Sequence, residues 1–197
     1  MFLRPAFCLA ILLFSGSAFA EMSTGPGPAH PLPVYHVPLR VHLGESSRSF
    51  AEFKPMLEEI NEIWLSQAGI CFEMDVVLNW EPVSDGIDLW FEPVPAQATI
   101  GVVNGYYLND HSIHVRDTPL LGAAPNPARY PAARTAAHEL GHSLGLPHRQ
   151  DSDDNLMRSQ TCGWKLNEEE IRKARERAKA KSLKGRSGEE CGIHVRG

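Results

Sequence analysis

The sequence predicts an α+β domain: a twisted mixed sheet of about five strands with a long backing helix, a second helix rich in histidine, and a C-terminal helix. Three observations lead there. Short apolar runs with β-branched or aromatic residues alternate with turn residues, two long stretches carry apolar residues at helical spacing, and a strongly charged stretch near the C-terminus has acids first and bases last.

The elements follow in chain order. Val34 to Leu43 alternates in part through Val37, Leu39, Val41 and Leu43 and predicts the first strand. Ser49 to Ala68 places Phe53, Met56, Leu57, Ile60, Ile63, Trp64 and Leu65 on a helical stripe that Gly69 ends. Ile70 to Trp80 and Ile87 to Phe91 read as the next two strands, punctuated by Pro82, Asp85 and Gly86. Ile100 to Leu108 and Ser112 to Val115 are two further short strands. Asp117 to Pro131 holds four prolines and is a long loop. Ala132 to Leu146 has a helical pattern stopped by Gly145 and Pro147. Asn167 to Lys184 is the last helix, with Asn167 as cap, Glu170 three residues on, and bases in its last turn.

With 197 residues, 43% of them hydrophobic, the chain has the size and composition of one domain with a real core, spanning residues 34–197. Ahead of it, Arg4, the apolar run Ala6 to Phe14 and the ending Ala18-Phe19-Ala20 have the layout of a cleavable secretory signal over residues 1–20. The run is too short to cross a bilayer. Residues 21–33, with Gly25, Pro26, Gly27, Pro28, Pro31 and Pro33, form an extended leader. The expectation is a secreted or periplasmic monomer, cleaved near Ala20, without stable membrane insertion.

The formal net charge is −5, and removal of Arg4 with the signal makes it one unit more negative, so nothing argues for nucleic acid as a partner. The bases between Arg172 and Arg186 are read as the solvated end of a helix, because their order suits its dipole. Cys71, Cys162 and Cys191 remain after the signal, an odd number that allows one bond and three pairings.

Residues 138 to 148 read His-Glu-Leu-Gly-His-Ser-Leu-Gly-Leu-Pro-His. Histidines four apart on a helix share a face, so His138 and His142 can reach one ion. A third imidazole six residues later shares it only if the helix stops and turns. Gly145, free to take positive φ, and Pro147, which blocks renewed helix, bring His148 under the metal. Three neutral imidazoles leave a fourth position for water, the arrangement of a catalytic zinc ion. Glu139 is then the base that takes the water's proton and passes it to a leaving amine.

In these residues the chain resembles the metzincin family of zinc endopeptidases, whose signature His138, Glu139, His142, Gly145 and His148 match position for position. Asn155-Leu156-Met157 fits the family's methionine turn, with Met157 as the apolar floor of the metal site. The specific likeness runs from Ala136 to Met157, and HELGHSLGL is most similar to the matrixins. Ser159 stands where astacins and serralysins carry a ligating tyrosine, and no cysteine-switch segment lies between Ala20 and the first strand.

The resemblance implies one catalytic Zn2+ and hydrolysis of internal bonds of protein or peptide substrates bound in extended form. It implies that the edge strand, here Ile100 to Tyr107, pairs with substrate, with side-chain preference set by the loop Arg158 to Trp164. By likeness to astacins, Cys71 would pair with Cys191. The alternatives, Cys162 with Cys191 or no bond, stay open. A secreted zinc-binding module without turnover is the rival function, and Glu139 argues against it because metal binding has no use for that carboxylate. His111 and His114 should face opposite ways along a strand, and His36 and His42 read as polar residues on a surface strand. Asp151, Asp153 and Asp154 have the chemistry for calcium, but a solvated loop explains them better.

Overall fold

The computed structural model describes residues 33–46, 48–93, 103–118, 130–159, 163–186, 188 and 190–196. The signal, almost all of the leader, the first residues of the expected edge strand, most of the proline loop and Cys162 lie outside them.

The described elements are β1 (Tyr35–His42), α1 (Phe50–Ala68), β2 (Ile70–Val77), β3 (Ile87–Glu92), β4 (Gly105–Asn109), β5 (Ser112–Arg116), α2 (Pro131–Ser143), α3 (Glu168–Lys181) and β6 (Ile193–Arg196). They form one mixed α+β layer structure around a six-stranded sheet in the order β4-β5-β3-β1-β2-β6. Every neighbouring pair is parallel except β4 with β5.

The fold class is the expected one, with one strand more than about five. Ile193–Arg196 pairs in parallel with Met74 to Val77 of β2, and four residues with one apolar alternation are too few to announce a strand. β4 begins at Gly105, later than the expected Ile100, and ends at Asn109.

The sheet has two unlike faces. Val37, Leu39 and Val41 of β1, Phe72, Met74 and Val76 of β2, Ile87, Leu89 and Phe91 of β3, and Ile113 and Val115 of β5 are buried with Phe53, Met56, Leu57, Ile60 and Trp64 of α1. That shared core fixes α1 as the backing helix. Ser49 and Glu52 close a capping box at its start, and Gly69, at φ 59°, ends it in the left-handed conformation.

The alternate residues face the other side. His36 and His42 belong to this set, but they are only 1% and 3% exposed, which corrects the surface reading. His36 Nδ1 lies 2.6 Å from Glu73 Oε1, and His42 Nε2 lies 2.8 Å from Asp88 Oδ1 and stacks on Trp90 at 3.6 Å between ring centroids. Cross-strand acids and rings cover them, a pairing between neighbours far apart in the chain that no local pattern reveals. His111 and His114 likewise meet different acids, Asp88 and Glu92. Cys71 and Cys191 are bonded to each other, with Cα atoms 5.5 Å apart, joining β2 to the segment that leads into β6. Among the described residues no helix is long and apolar enough to cross a membrane.

Candidate metal centre

The site is built on α2, which starts with Pro131 in its first turn and packs its small residues Ala132, Ala133, Ala136 and Ala137 into the core. Trp64 of α1 donates its indole N–H to Ala137 O at 3.2 Å, fixing the two helices just before His138. The helix ends at Ser143, and Gly145 follows at φ 80°. Leu146 N then bonds back to Gly141 O at 3.0 Å. This turn redirects the chain so that His148 returns toward His138 and His142.

The three imidazoles converge. His148 Nε2 lies 3.2 Å from both His138 Nε2 and His142 Nε2. Each opposite ring nitrogen on the first two is committed: His138 Nδ1 donates to Leu156 O at 2.7 Å and His142 Nδ1 to Leu146 O at 2.7 Å. A carbonyl can only accept, so both rings carry their proton on Nδ1 and turn bare Nε2 lone pairs inward. Burial pushes His138 down to about 3 and lowers His142 too, so both stay neutral, the form that binds a metal. Three inward nitrogens with at most one proton among them cannot satisfy each other by hydrogen bonds, whereas a single cation satisfies all three. Tetrahedral zinc at about 2.0–2.1 Å from nitrogen would set its ligands about 3.3 Å apart, close to what is seen. The donor set fits zinc.

Glu139 is 6% exposed, and burial pushes its carboxyl up to about 8 against the pull of Arg134. Gly105 of β4 lies against it: a Cβ there would be 3.1 Å from Glu139 Oε1. Met157, fully buried, packs against Gly141 between the first two histidines.

Other residues of the site were not singled out by the sequence. Arg134, 1% exposed, donates from Nη2 to Leu156 O at 2.9 Å and from Nε to Gly163 O at 2.5 Å. Leu156 O therefore takes hydrogen bonds from both Arg134 and His138, which ties the first histidine to the Met157 turn. The available signal was a charge one turn before His138 in a helix segment otherwise rich in alanine. Asn155 braces the same turn, accepting from Met157 N at 2.7 Å.

The acids considered for calcium each face a base: Asp151 meets Arg149, Asp153 meets Arg158 and Asp154 meets Lys165. Among the described residues a second trio with metal-binding chemistry is His36, Cys71 and Glu73, whose sulfur is engaged in the disulfide.

No protein-family model matches the chain, and no curated protein sequence does. The fold has a counterpart in the crystal structure of archaemetzincin from Methanopyrus kandleri, with a TM-score of 0.53 at 13% sequence identity, over 73% of this chain and 96% of that one. The likeness lies in the fold, and the fold of this chain is metzincin-like.

Proposed function

We propose that the chain is an exported zinc-dependent metalloendopeptidase. The observation that carries this reading is the convergence of three imidazole Nε2 atoms, those of His138 and His142 bare, with a buried carboxyl on the residue after the first. His138, His142 and His148 would hold the ion. A zinc ion held there would supply Lewis acidity toward a peptide carbonyl and toward a water near neutral pH. Glu139 would accept a proton from the attacking water and return it to the leaving amine nitrogen. Its burial limits bulk water's access to that proton, and a bound cation would counter the upward push on its carboxyl. Arg134 holds Leu156 O, the carbonyl partner of His138, in place.

An extended protein or peptide segment is the proposed substrate. Among the described residues β4 lies at the end of the sheet, and its outer edge would offer backbone groups to an added strand. The run HELGHSLGL supports a matrixin-like branch of the family. Export is supported by the layout of residues 1–20 and by the Cys71–Cys191 bond, which suits an oxidising compartment.

The test is digestion of an unfolded protein by the purified chain with and without a chelator, beside Glu139→Ala. A loss of about a hundredfold or more is expected for the variant with zinc still bound. Equal rates in both proteins would sink the mechanism, and a wild type that binds zinc without any turnover would favour a binding module.

A further inference from the structure

His36 and Cys71 stand opposite each other in the register of β1 and β2, and Glu73 follows Cys71 by two residues, on the same face of the strand. A ring nitrogen, the sulfur and a carboxylate oxygen of these three lie within 4.8 Å of one another. The residues are 1%, 0% and 8% exposed. A buried ion pair accounts for His36 and Glu73, but the sulfur adds a third and softer donor that an ion pair does not use.

The donors are held in the way ligands are held. His36 Nε2 faces Gly188 O at 3.1 Å, and a carbonyl can only accept, so that nitrogen carries a proton and Nδ1 is the one left to bind. Nδ1 lies 2.6 Å from Glu73 Oε1, a contact that needs a proton between the two atoms. Arg186 donates to both oxygens of Glu73, each at 3.1 Å, and Gly192 N donates to Oε2 at 3.0 Å. The fourth donor is the sulfur bonded to Cys71, that of Cys191. While the disulfide stands, both sulfurs are spent on each other, since the thiolate is the form that binds metal. Two external thiols would pass two electrons and two protons to the bond, leaving Cys71 and Cys191 as thiols and one external disulfide.

We propose that this cluster is a redox-gated zinc site: the reduced chain binds one ion through His36 Nδ1, Cys71 Sγ, Glu73 and Cys191 Sγ, and the oxidised chain binds none there. Binding sends the two thiol protons and the proton between His36 and Glu73 to solvent. Four protein ligands close the coordination shell, so the site is structural, unlike the open one on α2. Two thiolates and a carboxylate exceed the ion's charge by one unit, and Arg186 supplies the balancing cation. Arg186 is 49% exposed and Cys191 half-buried, so the segment leading into β6 is the way in once its covalent tie is open. The ion then replaces the disulfide as the link between β2 and that segment. None of this depends on whether the His138 site cuts peptides.

Cobalt(II) titration of the full chain tests it, in the oxidised form and after thiol reduction and removal of the reductant without oxygen. A Cys162→Ser background keeps the third thiol out of the measurement. The reduced chain should take up one equivalent more than the oxidised chain and show thiolate-to-cobalt charge-transfer absorption, which three imidazoles cannot produce. His36→Ala and Glu73→Gln, which keep both cysteines, should each weaken that extra equivalent by about tenfold or more and leave the His138 site as it was. No extra equivalent on reduction would overturn the proposal. So would an extra equivalent held as tightly by either variant as by the parent, because the two thiols would then bind without the cluster, whether or not the reduced chain stays folded. A second measurement uses no change at the cluster: zinc should slow alkylation of Cys71 and Cys191 in the reduced parent, and alkylation as fast with zinc as without it would also overturn the site.

Discussion

Met157 and Gly141 are packed so tightly that a methyl group on Gly141 would overlap Met157 Sδ and lie 2.9 Å from its terminal carbon. The glycine between His138 and His142 is thus set by the methionine beneath it. In an ordinary exposed helix, Gly→Ala stabilises by about 1 kcal/mol. Here Gly141→Ala should instead destabilise by about 1–3 kcal/mol, the usual result of overpacking, and weaken zinc binding. A melting curve with a zinc titration checks both, and a raised melting temperature would show that Met157 moves aside freely.

Gly105 gives a sharper test of geometry around Glu139, the proposed base. A Cβ there would sit 2.7 Å from Thr135 Cγ2 and 3.1 Å from Glu139 Oε1. Gly105→Ala should lower kcat by about tenfold or more, since small displacements of a reacting group are costly, while zinc stoichiometry stays the same. Unaltered kcat would mean that β4 yields and does not constrain Glu139.

The metal-free chain should be most stable in mildly acidic solution, at about pH 6.5, because His142 as well as His138 refuses protons that the unfolded chain takes up below it. His138 is held near 3 against an ordinary 6.5, so the unfolded chain takes up protons the folded one refuses, and stability drops as pH falls from 6.5 toward 3. Glu139 is pushed to about 8 from an ordinary 4.5, so the unfolded chain sheds a proton the folded one keeps, and stability drops as pH rises from 4.5 toward 8. Melting temperatures across pH 4–9 in chelator should trace that maximum. Glu139→Gln should remove the alkaline decline. A metal-free stability that climbs steadily to pH 8 in the wild type would contradict the burial of Glu139.

The Cys71–Cys191 bond closes a separation of 120 residues. In the chain-entropy view such a link contributes about 4–5 kcal/mol by restricting the unfolded chain. Reduction, or Cys191→Ser, should therefore lower the melting temperature markedly. Zinc affinity of the His138 site well below that temperature should be unchanged, because β6 and β4 lie at opposite ends of the sheet. Peptide mapping that found Cys162 joined to Cys191 would overturn the pairing.

Local chemistry made much of this protein legible in its sequence. The apolar stripe from Phe53 to Trp64, the Asn167–Glu170 cap and the run from His138 to His148 are each specified by residues within a few turns of one another, so spacing alone reports their geometry. Gly145 and Pro147 say where a helix must break, because backbone sterics act residue by residue.

What spacing could not reveal depends on partners far apart in the chain. His36 and His42 read as surface residues because Glu73 and Asp88 come to them only through the register of neighbouring strands. β6 became a strand only because β2 offered an edge to pair with. Arg134, Asn155 and Glu170 acquired their places when three separate segments closed around the turn at Met157. The sequence by itself determined which imidazoles share a helix face and where that helix ends. Tertiary packing decided which carbonyls orient the first two, since buried polar groups take their partners from whatever the fold brings within reach.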